Sequence, residues 1–188
     1  NTYVGLTTLL SGTLNLGSAT AISSGTGKLR FTGGTLQYSS SNTTDYSSRF
    51  DATTANQNFN IDNNGQNITF STAFGTSGAT LTKSGTGILT LAALNTYTGQ
   101  TTIGAGTLAL SGSGGLSSSG VSNSGTLDIS NTTSGALIKN LTGSGNVTLG
   151  TKNLTISTTV SGSTYSGVIS GNGNVTISTT GSNSNKSG

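Results

Sequence analysis

Asn1-Thr-Tyr-Val-Gly-Leu-Thr-Thr-Leu-Leu-Ser-Gly-Thr-Leu-Asn-Leu16 returns as Asn95-Thr-Tyr-Thr-Gly-Gln-Thr-Thr-Ile-Gly-Ala-Gly-Thr-Leu-Ala-Leu110, with ten of sixteen positions identical at an offset of 94. In a chain of 188 residues a match of that quality is duplication. Duplication at fixed spacing points to stacked repeats rather than one globular core.

Around these two copies a shorter phrase recurs, Gly-x-apolar-x-apolar. It reads Gly12-Thr-Leu-Asn-Leu16, Gly27-Lys-Leu-Arg-Phe31, Gly34-Thr-Leu-Gln-Tyr38, Gly87-Ile-Leu-Thr-Leu91 and Gly106-Thr-Leu-Ala-Leu110. Gly125-Thr-Leu-Asp-Ile129, Gly145-Asn-Val-Thr-Leu149 and Gly173-Asn-Val-Thr-Ile177 continue it. Alternation of period 2 predicts a short strand in each, apolar on one face and polar on the other, with the leading Gly as a turn residue. Leu89, Leu108, Leu127 and Val147 recur in steps of about 20 residues, with Leu154 and Val175 on another face. A strand returning at that interval in one orientation is the pattern of a parallel β-solenoid, whose coils bury their apolar faces only by stacking. Antiparallel hairpins would call for Asn-Gly or Asp-Gly turns, and Asn64-Gly65 stands alone. The expectation is an all-β chain, a single solenoid segment over 1–188. It has about nine coils, forms a rod of roughly 45 Å at about 4.8 Å per coil, and carries ladders of Asn, Ser and Thr along its surface.

Composition narrows function by exclusion. The chain has no His, Cys, Met, Pro or Trp. Glu is also missing, and the only acids are Asp45, Asp51, Asp62 and Asp128. His-based triads, imidazole metal sites and thiol chemistry are therefore impossible. Charged residues make up 6% and the net charge is +3. Lys28, Arg30, Arg49, Lys83, Lys139, Lys152 and Lys186 are spread along the chain and read as solubilising surface charges. No run of them follows a phosphate backbone, so nucleic acid is not an expected partner. Gly-x-Gly recurs without the third glycine of a dinucleotide fingerprint, and no Gly-Lys-Ser/Thr exists. No cofactor or metal is expected.

One stretch breaks the rhythm. Residues 39–55, SSSNTTDYSSRFDATTA, hold no Gly and no paired apolar strand, yet carry Asp45, Tyr46, Arg49, Phe50 and Asp51. The expectation is a loop insertion at one edge of the coils, with Asp45, Tyr46, Arg49 and Asp51 as candidate ligand contacts. An irregular coil is the alternative.

The segment from Leu81 to Leu110, LTKSGTGILTLAALNTYTGQTTIGAGTLAL, resembles the autotransporter-associated β-strand repeat, also called the passenger-associated transport repeat. Asn1 to Leu16 is a second, partial copy, and Thr164 to Asn174 resembles the lead-in to such a repeat. The resemblance implies a right-handed parallel β-helix exported to the bacterial cell surface. It also implies an outer-membrane translocation barrel elsewhere in the full-length chain. It carries no catalytic residues. The function expected is a non-enzymatic extracellular stalk or display scaffold. The alternatives are an adhesin segment that binds a glycan or host protein through 39–55, and a subunit that self-associates end to end into a fibre.

Overall fold

The structure is a computed structural model that describes residues 3–22, 25–116, 119–158 and 164–179. Asn1 and Thr2 of the first repeat copy, and Lys186, lie outside the described residues. The strands in chain order are β1 (Thr7–Leu9), β2 (Thr13–Asn15), β3 (Leu29–Phe31), β4 (Thr35–Gln37), β5 (Asn58–Asp62), β6 (Ile68–Phe70), β7 (Thr80–Ser84), β8 (Ile88–Leu91) and β9 (Thr101–Ile103). They continue as β10 (Thr107–Gly112), β11 (Gly120–Asn123), β12 (Thr126–Thr132), β13 (Ala136–Ile138), β14 (Asn140–Gly143), β15 (Asn146–Gly150), β16 (Leu154–Thr158), β17 (Ile169–Gly171) and β18 (Val175–Thr179). The only helical turn among the described residues is a 3₁₀ turn at Ser47–Arg49.

Every pairing between the described strands is parallel. One sheet runs β14-β11-β9-β7-β5-β4-β2 and a second runs β17-β15-β12-β10-β8-β6. Two short sheets complete the circuit, β1-β3 at the first coils and β13-β16-β18 at the last. The chain is a β-solenoid of about eight turns. It falls one turn short of nine because some coils are longer than 20 residues, as between Leu36 and its partner Ile61.

All eight Gly-led phrases contain a strand. Ile68, Leu89, Leu108, Leu127 and Val147 stack in register as one buried row of the six-stranded sheet, and Ile169 continues the register on the exposed edge strand β17. Leu154 pairs with Val175 in a different sheet, as their separate phase indicated. On the outer face of the seven-stranded sheet Thr13, Thr35, Asn60, Thr82, Thr102, Ser122 and Thr142 form a continuous polar ladder. Asn64 and Gly65 both have positive φ, 45° and 78°. They turn the chain from one sheet into the next instead of folding it back as a hairpin.

The leading glycines answer to stacking more than to turn geometry. A Cβ on Gly106 would lie 2.5 Å from the carbonyl oxygen of Gly87, one on Gly125 2.4 Å from that of Gly106, and one on Gly145 2.3 Å from that of Gly125. Each corner rests directly on the one beneath it, and only hydrogen fits between. Gly106 has positive φ, but Gly87, Gly125 and Gly145 do not, so clearance alone demands glycine there.

Residues 39–55 do not leave the solenoid. Phe50 bridges to Leu29 in parallel, and the Asp51 N–H donates to the Leu29 carbonyl at 2.8 Å. The segment is an irregular coil laid over β3. All five phenylalanines of the chain gather here, Phe31, Phe50, Phe59, Phe70 and Phe74, with ring centroids 4.9 to 5.9 Å apart in the contacting pairs. Long coils enclose a wider interior, and aromatic rings fill it at the density a protein core requires. Leu, Ile and Val predominate in the shorter coils above, joined by the buried ring of Tyr97.

Candidate functional site

Within the repeat segment 81–110 the fold buries three polar side chains, Lys83, Asn95 and Thr101. Alternation along β7 turns Leu81 and Lys83 inward and leaves Thr80, Thr82 and Ser84 half-exposed. Lys83 stands between Ile61 and Ile103 in the inward row and is 0% exposed. Its Nζ donates to Asn63 Oδ1 at 2.9 Å on the coil below and to the carbonyls of Ser84 (3.2 Å) and Gly85 (2.7 Å) on its own coil. It also reaches the carbonyl of Ala105 (3.0 Å) on the coil above. One ammonium thus joins three coils at a corner. Burial pushes Lys83 down to about 8, despite the opposing pull of Asp62. It is not a solubilising surface charge: the phase of its strand carries it inside, and the corner carbonyls give its protons acceptors.

The Asn-Thr-Tyr-Thr-Gly phrase forms the return of the same coil. Asn95 is buried, accepting from the Phe74 N–H at 3.0 Å and donating to the Ala93 carbonyl at 2.9 Å. The Tyr97 ring stacks on Phe74 at 5.7 Å. Its hydroxyl lies 2.7 Å from Thr101 Oγ1, which lies 2.8 Å from Ser119 Oγ, and Ser119 Oγ donates to the Gly99 carbonyl at 2.8 Å. Burial raises the Tyr97 phenol well above its ordinary range, and the Thr101 contact offsets only part of this. The phrase is therefore a buried hydrogen-bond chain that closes one coil and grips the next.

The first copy repeats the arrangement in part. Tyr3 hydrogen-bonds to Thr7, the same i to i+4 contact that Tyr97 makes with Thr101. Tyr3 remains 39% exposed, since it lies on the first coil whereas Tyr97 has Phe74 beneath it. In the third segment, Tyr165 bridges to Gly143 and its hydroxyl donates to the Gly145 carbonyl.

The four residues singled out in 39–55 are committed to internal contacts. Asp45 is half-buried, accepting from the Ser47 N–H (2.8 Å) and from the Ser71 N–H and hydroxyl (2.8 and 2.7 Å). Burial alone would raise its carboxyl, but these bonds outweigh it and hold the group below its usual range. Tyr46 is 4% exposed, with its hydroxyl accepting from Asn42 Nδ2 at 2.9 Å. Arg49 donates through Nε to the Gly27 carbonyl at 2.7 Å, and its guanidinium sits 5.9 Å from the Tyr46 ring centre. Asp51 is 5% exposed. Its carboxylate accepts from the Thr53 N–H and hydroxyl, the Thr54 hydroxyl and Arg30 Nε, at 2.6 to 2.9 Å. Bonds from Thr53, then Thr54 and Arg30, hold it far below the usual carboxylate range against the effect of burial. The structure brings Tyr46 and Arg49 together and pairs Asp51 with Arg30 instead.

Sequence reasoning missed Lys83, Asn95, Tyr97, Thr101 and Ser119 as a working set. Alternation carried a signal for Lys83, two residues beyond the inward Leu81, and conservation of Tyr and Thr between the two copies carried one for Tyr97 and Thr101.

Residues 81–110 match the passenger-associated-transport-repeat family model. No curated protein and no solved structure matches the chain. The match runs from the inward Leu81 of β7 to the inward Leu110 of β10; since β7 pairs with β9 and β8 with β10, it covers the coil just described and the first half of the next. Its Lys-Ser-Gly-Thr-Gly is the corner built around Lys83, and its Asn-Thr-Tyr-Thr-Gly is the return built around Asn95 and Tyr97. An autotransporter-passenger repeat on a parallel β-solenoid is what this part of the chain is similar to.

Proposed function

We infer that this chain is a rigid, non-enzymatic scaffold segment of a protein exported to the bacterial cell surface. In this reading the repeat is a staple that holds successive coils together during and after export. The observation that carries it is the use made of the repeat's polar groups: Lys83, Asn95, Tyr97 and Thr101 all bond between or within coils. Groups so consumed stiffen a rod and offer little to a substrate. An outer-membrane barrel elsewhere in the full-length protein would supply passage, as the repeat's association with autotransporter passengers suggests.

A spacer tolerates loss of a whole coil but not of half a coil. Asn123 and Gly143 stack in register, so deleting residues 124–143 joins Asn123 to Ser144-Gly145 and restores the local phrase Asn-Ser-Gly. In the exporting cell that variant should reach the surface, folded and shorter by about 5 Å. Deletion of 124–133 should leave the protein degraded or unexported. Equal loss of surface display in both variants would refute the scaffold reading.

A further inference from the structure

Three of the chain's seven cations fall on two neighbouring coils, and the fold sets two of them beside a cleft. Lys28 and Arg30 flank the buried Leu29 of β3, so both stand on the outer face of the β1-β3 sheet. The next coil lays Asp51 and Thr53 alongside them, through the bond from the Asp51 N–H to the Leu29 carbonyl. The result is an open cleft of about 520 Å³ whose lining includes Leu6, Thr26, Lys28, Arg30, Asp51 and Thr53.

The charges of this cleft are unequal in availability. Asp51 has both carboxylate oxygens engaged by Thr53, Thr54 and Arg30 and is nearly inaccessible. It works as an anchor, gripping Arg30 through Nε alone at 2.8 Å. Among the described residues the terminal nitrogens of Arg30 take no partner, and its side chain is 34% exposed. Lys28 reaches the Ser48 carbonyl at 3.0 Å with one of the three protons of its ammonium. A planar fork held in place, a second cation two residues away, threonine hydroxyls and the exposed apolar side chain of Leu6 are brought together on one face.

We propose that this cleft binds an acidic sugar, a short oligosaccharide whose carboxylate docks on Arg30 and Lys28. The guanidinium fork matches a carboxylate in two parallel hydrogen bonds. Thr26 and Thr53 suit ring hydroxyls, and Leu6 suits the apolar edge of a sugar ring. The volume falls in the range of small-ligand sites. A phosphate polymer would need a longer file of cations than two. The assignment is independent of the scaffold role, since a stalk can carry a lateral site.

The test is calorimetric titration of the protein with an oligogalacturonate hexamer, with sialyllactose and with neutral maltohexaose. One of the two acidic probes should bind, with affinity falling as salt is raised. Uronate binding alone would assign a plant- or capsule-type polymer, and sialoside binding alone a host glycan. Arg30→Gln should abolish binding, but it also strips Asp51 of its cation. Lys28→Gln, at an exposed side chain, is the cleaner variant and should weaken binding about tenfold, the worth of a charge-assisted hydrogen bond. Lys152→Gln, on a distant coil, should leave it unchanged. The proposal falls if neither acidic probe binds at millimolar concentration, if maltohexaose binds as well, or if Lys152→Gln weakens binding as much as Lys28→Gln.

Discussion

Lys83 makes the stability of the rod depend on pH in a direction opposite to that of a surface lysine in an ion pair. In the unfolded chain its ammonium titrates at 10.5, and in the folded chain at about 8. Between these values the unfolded state binds more protons, so stability rises with pH across the window. The destabilisation is fully present below about pH 8 and is relieved as pH approaches 10.5. At roughly 1.4 kcal/mol per pH unit it amounts to about 3 kcal/mol at neutral pH. Raising the pH from 7 to 9.5 should recover about 2 kcal/mol of it. Burial holds the phenols of Tyr38 and Tyr97 protonated in the fold. Unfolded tyrosines ionise near pH 10, so stability falls again above that point and the measurement belongs below it. Urea melts followed by far-UV circular dichroism should show the midpoint rising by about 1 M between the two pH values, for an m-value of about 2 kcal/mol/M. Lys83→Met fills the same slot without a charge and should lose the slope, whatever it does to the midpoint at pH 7. A flat wild-type profile from pH 7 to 9.5, or an equal slope in the Met variant, would refute the assignment of an ammonium whose charge is penalised by burial.

Other perturbations probe different links. Leu108→Asp places an unpaired carboxylate between Leu89 and Leu127 in the inward row; the cost of several kcal/mol should abolish folding, and a variant keeping native β-signal and Tm would overturn the inward assignment. Gly125→Ala drives a methyl to 2.4 Å from the Gly106 carbonyl oxygen, whereas at Gly104 the nearest atom would be 3.6 Å away. Thermal melts should show a loss of about 1–3 kcal/mol at Gly125 and little change at Gly104; equal effects would remove the stacking explanation for the glycine column. At the two ends of the described stack Leu10 and Ile177 are 69% and 67% exposed, with Val4 and Val168 nearly as open. Light scattering should detect a mass that grows with concentration and falls in Leu10→Lys and Ile177→Lys. A monomer throughout would exclude end-to-end association.

The period of the chain was legible in its residues. Alternation is local, and a row such as Leu89, Leu108, Leu127 can be aligned without knowing the path between strands. The duplicated phrase likewise marked a return whose Asn95 and Thr101 bond to the neighbouring coils. Other features depend on what lies directly above or below a residue, about 20 positions away in the chain. Lys83 has no acidic partner in its own segment, and its acceptors are carbonyls and an amide contributed by three coils. Gly125 looks like a turn residue until the corner beneath it removes the space for a methyl group. Residues 39–55 have the polarity of an excursion, yet Phe50 and Tyr46 draw the backbone inward because the wide coils need filling. The cleft beside Lys28 and Arg30 exists only because the coil bearing Asp51 is laid over β3. The residues alone determined the repeat, the strand phase and the chemistry excluded by the missing His, Cys and Glu. Stacking decided which polar groups became buried staples and which cations stayed open to a ligand, because burial is set by the neighbouring coils and not by the segment itself.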